Sequence, residues 1–189
     1  MLLRVPVIYI TSGIWVVLMV VALWARPHLP IDETRYLAVA WEMWLRNDFL
    51  VPYLNGEPYS HKPPLLFWLI HAGWGVLGVN EWWSRLVAPL FGLGCLFLLR
   101  FLCHALWPDD KKTQDLALLF LTGCIFWTIF VTLTMFDMML VFFALLGLLG
   151  IIKSYVQRQR IGFFWLVIAI GLGVLSKGPA IFLYILPVA

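Results

Sequence analysis

Apolar residues run almost unbroken from Val5 to Ala25, and the run closes on Leu23-Trp24-Ala25-Arg26. A helix of about twenty apolar residues crosses roughly 30 Å of hydrocarbon. Trp24 then stands where interface anchors stand. The run is longer than the apolar core of a signal peptide, about 7–15 residues closed by a small-x-small site, so it predicts a retained span. A second apolar run, about 86–107, ends in Pro108-Asp109-Asp110-Lys111-Lys112. From Leu116 to Ile152 the one charged side chain is Asp137. That stretch is too long for one crossing and predicts two helices, about 116–133 and 137–152, turning near Thr132 to Asp137. The polar stretch "KSYVQRQR" (153–160) precedes a fifth span, about 161–176, which "SKGP" interrupts. A last apolar segment, 180–189, is about half a crossing.

Residues 26–82 have a mixed character. They carry six of the ten acidic residues and much of the proline. In "DETRYLAVAWEMWLRNDF", Tyr36, Ala40 and Trp44 repeat at four, as do Leu37, Trp41 and Leu45, with Arg35, Glu42 and Arg46 largely off that stripe. The spacing predicts an amphipathic helix in the interface plane. "PPLLFWLIHAGWGVLG" (63–78) opens on two prolines that suit a first helical turn. It is too short and too interrupted by glycine to span. Two juxtamembrane helices are therefore expected, joined by "VPYLNGEPYSHK" with a turn at Asn55-Gly56.

Composition agrees with the pattern. The chain of 189 residues is 63% hydrophobic and 12% charged, with 11 Trp and 14 Phe, where soluble domains are about 25% charged. This excludes an ordinary soluble domain and predicts an all-α polytopic membrane protein. A net charge of +3 is too mild for a nucleic-acid partner. Cys95, Cys103 and Cys124 fall in apolar runs without metal-site spacing and read as packing residues.

Orientation follows from alternation. With the N-terminus cytoplasmic, Arg4, Arg100, Lys111, Lys112, Lys153, Arg158 and Arg160 lie on the cytoplasmic side, in short loops. Arg26, Arg35, Arg46, Lys62, Arg85 and Lys177 lie on the other. The bias agrees with positive charge inside. Segment 26–82 becomes the first extracytoplasmic loop.

On that face the scarce charges converge. Asp32 follows Pro30 and opens a helical pattern, so it can serve as an N-cap, but a cap leaves Glu33 unexplained. Lys62 precedes Pro63-Pro64, which hold it extended; it is either a headgroup-seeking lysine or a ligand for an anion. His61 stands beside it. Asp137, in an otherwise uncharged hairpin, is a functional candidate because a carboxylate there costs several kcal/mol. Lys177 interrupts an apolar stretch in the same way. Lysines stabilise a departing phosphate, and a carboxylate orients or deprotonates an incoming nucleophile. Together they suit group transfer from a lipid-linked phosphate.

"DETRY" after the first span, "PYLNGEPYSHKPPLLFWL", "EWWSRL", the Asp of the third–fourth helix turn and "KGP" before an apolar run occur in order over nearly the whole chain. In these the sequence resembles the bacterial lipid A aminoarabinose transferases. It also resembles the wider group of polyprenyl-phosphate-dependent glycosyltransferases related to the protein O-mannosyltransferases. The resemblance implies the GT-C fold, an undecaprenyl-phosphate-linked sugar donor, a lipid, glycan or protein acceptor, and residence among the lipids of the bacterial inner membrane. It implies catalytic roles for Asp32 and Glu33 and contact of Lys62, Lys177 and Arg35 with the donor phosphate. It also implies a divalent metal (zinc, magnesium or manganese) at Asp137 and the position before Lys-Pro-Pro, where His61 replaces the usual acid. Family members continue well beyond this length with further helices and a C-terminal extracytoplasmic domain, so the sequence reads as a partial GT-C domain. Two rival readings are a transporter, whose pathway also carries intramembrane charges, and a non-catalytic relative acting as a partner subunit.

Overall fold

A computed structural model describes residues 5–189. Arg4, counted above on the cytoplasmic side, lies outside the described residues. The first helix, α1 (Val7–Ala25), is followed by α2 (Asp32–Arg46), a two-stranded hairpin of β1 (Tyr53–Leu54) and β2 (Glu57–Pro58), and α3 (Leu65–Leu77). Then come α4 (Glu81–Leu106), α5 (Lys111–Gly123), α6 (Ile125–Phe130), α7 (Phe136–Ile151), α8 (Ile161–Lys177) and α9 (Ala180–Ile185). The hairpin pairs Tyr53 with Pro58 and Leu54 with Glu57 across the Asn55-Gly56 turn, in which both residues have positive φ. The all-α membrane reading holds. Among the described residues three helices are long and apolar enough to cross a bilayer: α1, α4, and α7 with its continuation to Val156. The apolar helices α3 and α8 are shorter.

α7 is the centre of the body, buried on most sides between α4 and α8. Its approach to α8 depends on glycine. A Cβ at Gly150 would stand 2.8 Å from the Gly162 carbonyl and 2.9 Å from the Leu166 nitrogen, backbone atoms that cannot yield. Small residues let helices close this far in a membrane, where van der Waals packing drives association. Beyond Ile151 the helix loosens into a π-helical turn, Ile152–Val156. α1 leans on α4 and α5 and is tied by the Trp15 indole, which donates to the Pro89 carbonyl at 3.1 Å.

The stretch expected as one helix over 116–133 differs. It begins earlier, at Lys111, where the Asp110 carboxylate caps the Thr113 N–H, and it breaks at Cys124, whose backbone is extended. The break has a local cause. The Thr122 hydroxyl donates to the Leu118 carbonyl, and the Thr128 hydroxyl donates to the Thr122 and Cys124 carbonyls. These side chains offer the backbone alternatives to helical bonds. Cys95 and Cys103 are buried as expected of packing residues, whereas Cys124 at the break is exposed.

α2 buries Tyr36, Val39, Ala40 and Met43, an i, i+3, i+4, i+7 face, and leaves Trp41 and Leu45 of the expected stripe exposed. It packs on α3, whose Leu66, Phe67 and Ile70 are fully buried. By connectivity one end of the body gathers the C-terminus of α1, the starts of α2, α4 and α7, and the end of α8. The α4–α5 and α7–α8 connections lie at the other end.

Candidate active site

Five segments meet at the first of these ends, and the turn 131–135 with the start of α7 organises them. Glu33 has no exposed surface, and its carboxylate accepts four hydrogen bonds. Two come from the Arg26 guanidinium, at 2.5 and 2.9 Å. The others come from the Leu29 N–H and, a hundred residues along the chain, the Thr134 N–H, each at 2.7 Å. Burial by itself would push the Glu33 carboxyl up, but the Arg26 and backbone donors outweigh it and hold the group below its ordinary value. Arg26 also donates to the Thr132 carbonyl at 2.9 Å. Arg26 and Glu33 thus clamp the entry to α2 onto the turn that precedes α7. Charge-assisted pairs of this kind are the strong ones.

Asp32, one residue earlier, is not a helix cap. The capping position is Ile31, and no side chain caps the helix. Ile31 has φ 75° and ψ −56°, a strained conformation for a β-branched residue and one found preferentially at functional sites. The Asp32 carboxylate accepts from Arg35 at 2.6 Å and retains 38% of its side-chain exposure. It therefore faces an open region, unlike Glu33. Behind it stand two buried phenols, Tyr36 and Tyr59, whose pKa values burial pushes up, leaving both as neutral hydroxyls. The Tyr59 hydroxyl has no partner among the described residues. Sequence reasoning missed it, although it sits inside the quoted "PYSHK".

Phe136 joins the second half of the site. Its buried ring meets Tyr36 edge-on at 5.0 Å and Phe67 at 5.7 Å. The Lys62 ammonium stands over the same ring, 5.8 Å from its centroid, in a cation–π arrangement. Lys62 has no carboxylate partner among the described residues. The next residue, Asp137, lies in the first turn of α7 and accepts from the Lys177 ammonium at 2.6 Å, both side chains being about 30% exposed. Lys177 ends α8 and is released by Gly178 at φ 68°. One of its three N–H donors is used, leaving two free for an anion.

The structure therefore brings Asp32, Arg35, Lys62, Asp137 and Lys177 to one end of the body. It separates Glu33 from them as a buried clamp, and it leaves His61 exposed, its ring 5.1 Å from that of Tyr59. Asp137 is occupied by an ammonium, and no group of three His, Cys, Asp or Glu that would hold an ion occurs among the described residues. Arg85, counted above only for its charge, is buried and donates to the carbonyls of Ala22 at 2.6 Å and Arg26 at 2.7 Å. It thereby satisfies a carbonyl in the last turn of α1 and that of the residue capping it. Nothing in its spacing signals this, since its partners lie some sixty residues away.

The model of the dolichyl-phosphate-mannose-protein mannosyltransferase family matches residues 61–188, more than half of the chain. The chain belongs to this family. Among similar proteins is an undecaprenyl phosphate-alpha-4-amino-4-deoxy-L-arabinose arabinosyl transferase of Pseudomonas savastanoi pv. phaseolicola, 36% identical over 48% of this chain and 17% of its own. An uncharacterized protein of Aquifex aeolicus is 31% identical over 79% of this chain and 30% of its own. The crystal structure of ArnT from Cupriavidus metallidurans bound to undecaprenyl phosphate superposes over 93% of this chain with a TM-score of 0.81 at 23% identity. The apo form gives 0.78 at 24%. The fold of ArnT is therefore shared over nearly the whole chain, which spans a third of the ArnT length.

Proposed function

We propose that this chain forms the donor-side portion of a membrane glycosyltransferase. It transfers a sugar from undecaprenyl phosphate to a lipid, glycan or protein acceptor, in envelope or lipid A modification. The observation that carries this reading is the unpaired Lys62 ammonium held over Phe136, one residue from the Asp137–Lys177 pair and at the same end as the Asp32–Arg35 pair. Cations at one end beside half-exposed carboxylates suit a phosphate that gains charge as it leaves. The relative that binds undecaprenyl phosphate supplies the lipid class, and family membership supplies the reaction class.

In the reaction the bond between the sugar's anomeric carbon and the phosphate oxygen breaks, and its electron pair stays on the phosphate. Lys62, the two free donors of Lys177, and Arg35 receive that growing charge. An acceptor oxygen bonds to the opposite face of the anomeric carbon, inverting it. A hydroxyl acceptor passes its proton to Asp32, whose carboxylate Arg35 orients. A phosphate acceptor has no proton to pass, and Asp32 then only positions it. Glu33 acts as a positioning residue, since its four acceptor directions are filled. The site faces away from the cytoplasm. Lys111, Lys112, Lys153, Arg158 and Arg160 cluster in the connections at the opposite end, which supports an inner-membrane chain with its N-terminus inside.

The test is transfer of radiolabelled sugar from undecaprenyl phosphate by the full-length gene product in nanodiscs. Lys62→Ala is expected to lower turnover by about 10²-fold or more, the scale of losing one donor to developing charge. Normal turnover with Lys62→Ala would overturn this assignment.

A further inference from the structure

A cavity of about 800 Å³ runs as a groove between α4, α7 and α8. Its walls are apolar, with Leu98 and the 58% exposed Phe101 on α4, Leu146 on α7 and Trp165 on α8. Along α4 the lining extends from Phe91 to Ala105, about 21 Å at 1.5 Å per residue. That exceeds one leaflet, which is half of about 30 Å of hydrocarbon. At the end of the body opposite Asp32 and Lys62 the lining changes to His104, Lys153 and Gln157. Lys153 is half-buried in the π-helical turn that follows α7, and such turns recur at functional sites. Among the described residues its ammonium has no carboxylate partner. No acid lines the groove. Of the acids at this end, Asp110 is spent on Thr113 and Asp115 on Arg100, while Asp109 is exposed. Arg158 and Arg160 follow Lys153 in the same connection, both exposed.

We infer that this groove binds an anionic glycerophospholipid of the leaflet opposite the candidate active site, with its phosphate at Lys153 and an acyl chain along α4 and α7. An ammonium at the rim of an apolar groove is complementary to a ligand that is hydrocarbon for most of its length and anionic at one end. Basic pockets between membrane helices take anionic headgroups in this way. A neutral hydrocarbon leaves Lys153 without a counter-charge, and a soluble phosphate leaves the apolar walls uncovered. The ammonium of a zwitterionic headgroup would stand among Lys153, Arg158 and Arg160, so the net anionic class is favoured. Gln157 spends one amide N–H on the Ala105 carbonyl at 3.4 Å and keeps the other for a headgroup oxygen. The far end of the groove reaches α3 at Leu65, three residues from Lys62. A polyprenyl tail entering there is hydrocarbon and brings no charge to Lys153. The lipid is thus distinct from the sugar donor, and its binding does not rest on the function proposed above.

The test is native mass spectrometry of the delipidated full-length gene product, titrated with equimolar phosphatidylglycerol and phosphatidylcholine of identical acyl chains. The first lipid bound is expected to be phosphatidylglycerol, by about fivefold or more. Lys153→Gln, at the rim, should lower that preference about fivefold, the scale of one cation beside an anionic lipid. Ala105→Phe, which fills the groove beside the headgroup end, should lose the first lipid of either kind at unchanged melting temperature. Lys62→Ala should keep the preference of the native protein. Equal binding of the two lipids, an undiminished preference in Lys153→Gln, or competition by free glycerol phosphate would each overturn the inference. So would the absence of any tightly held lipid, since a further segment of the full-length product then covers the groove. Loss of the preference in Lys62→Ala but not in Lys153→Gln would place the lipid at the candidate active site and also overturn it.

Discussion

Replacing Glu33 by glutamine tests the clamp that holds the site together. The side chain is fully buried and its partner Arg26 is 26% exposed, so solvent screens the pair little. Removing one member of such a pair costs about 3–5 kcal/mol. Glutamine keeps the shape and one acceptor oxygen but turns an NH₂ toward two of the four donors. The lower end, about 3 kcal/mol, is therefore expected. At 1.36 kcal/mol per factor of ten this is about a hundredfold. The assay is hydrogen exchange by mass spectrometry on peptides covering 129–138, because the Thr134 N–H donates to Glu33 directly. Exchange there should quicken about a hundredfold, with little change in α4 or the middle of α7. The pH dependence has a defined sign. The Glu33 carboxyl is held below its ordinary value in the fold, so its contribution is complete above the unfolded value and is lost as pH falls through the folded one. Native protein should therefore keep protection of 129–138 down to the ordinary carboxylate range and lose it only below. Glu33→Gln should show no such acid step. Equal exchange in both proteins at neutral pH would refute the clamp.

Other outcomes follow from the same packing. In Gly162→Ala the new methyl meets the Ser154 hydroxyl and nitrogen and the Gly150 carbonyl, so overpacking of about 1–3 kcal/mol or more should appear as a lower melting temperature. Arg85→Met leaves the Ala22 and Arg26 carbonyls at the end of α1 without their donor and should cost about 1–3 kcal/mol by denaturant titration, with α1 losing hydrogen-exchange protection first. Asp137 and Lys177 are each about 30% exposed, so a double-mutant cycle with Asp137→Asn and Lys177→Met should return a coupling of about 1 kcal/mol or less. Either substitution should nevertheless abolish transfer by the full-length product; a variant that is stable and fully active would remove the pair from the site.

How much of this was legible varies with the range of the interaction. The spans, the two juxtamembrane helices and the Asn55-Gly56 turn follow from local periodicity and turn chemistry, and the structure has helices or a turn at each place. The charges that face the open end were legible because charge is so scarce. The different parts of Asp32 and Glu33 were not legible. Adjacent carboxylates look alike in sequence, and what separates them is Arg26 at seven residues and a backbone N–H at Thr134, which any residue but proline would provide. The break at Cys124 was hidden for a similar reason. Threonines that compete for backbone bonds are compatible with an unbroken span, and neither proline nor charge marks the spot.

Of the six residues Thr132 to Asp137, four carry an obligation: a carbonyl for Arg26, an N–H for Glu33, a ring for Lys62 and Tyr36, and a carboxylate for Lys177. These obligations are spaced by the chain itself, so length matters there as well as identity. Inserting or deleting a single residue between Thr132 and Asp137 would put at least one of them out of reach. A one-residue change of length in this turn should therefore cost more than a substitution at Thr132 or Thr134, which offer only backbone groups.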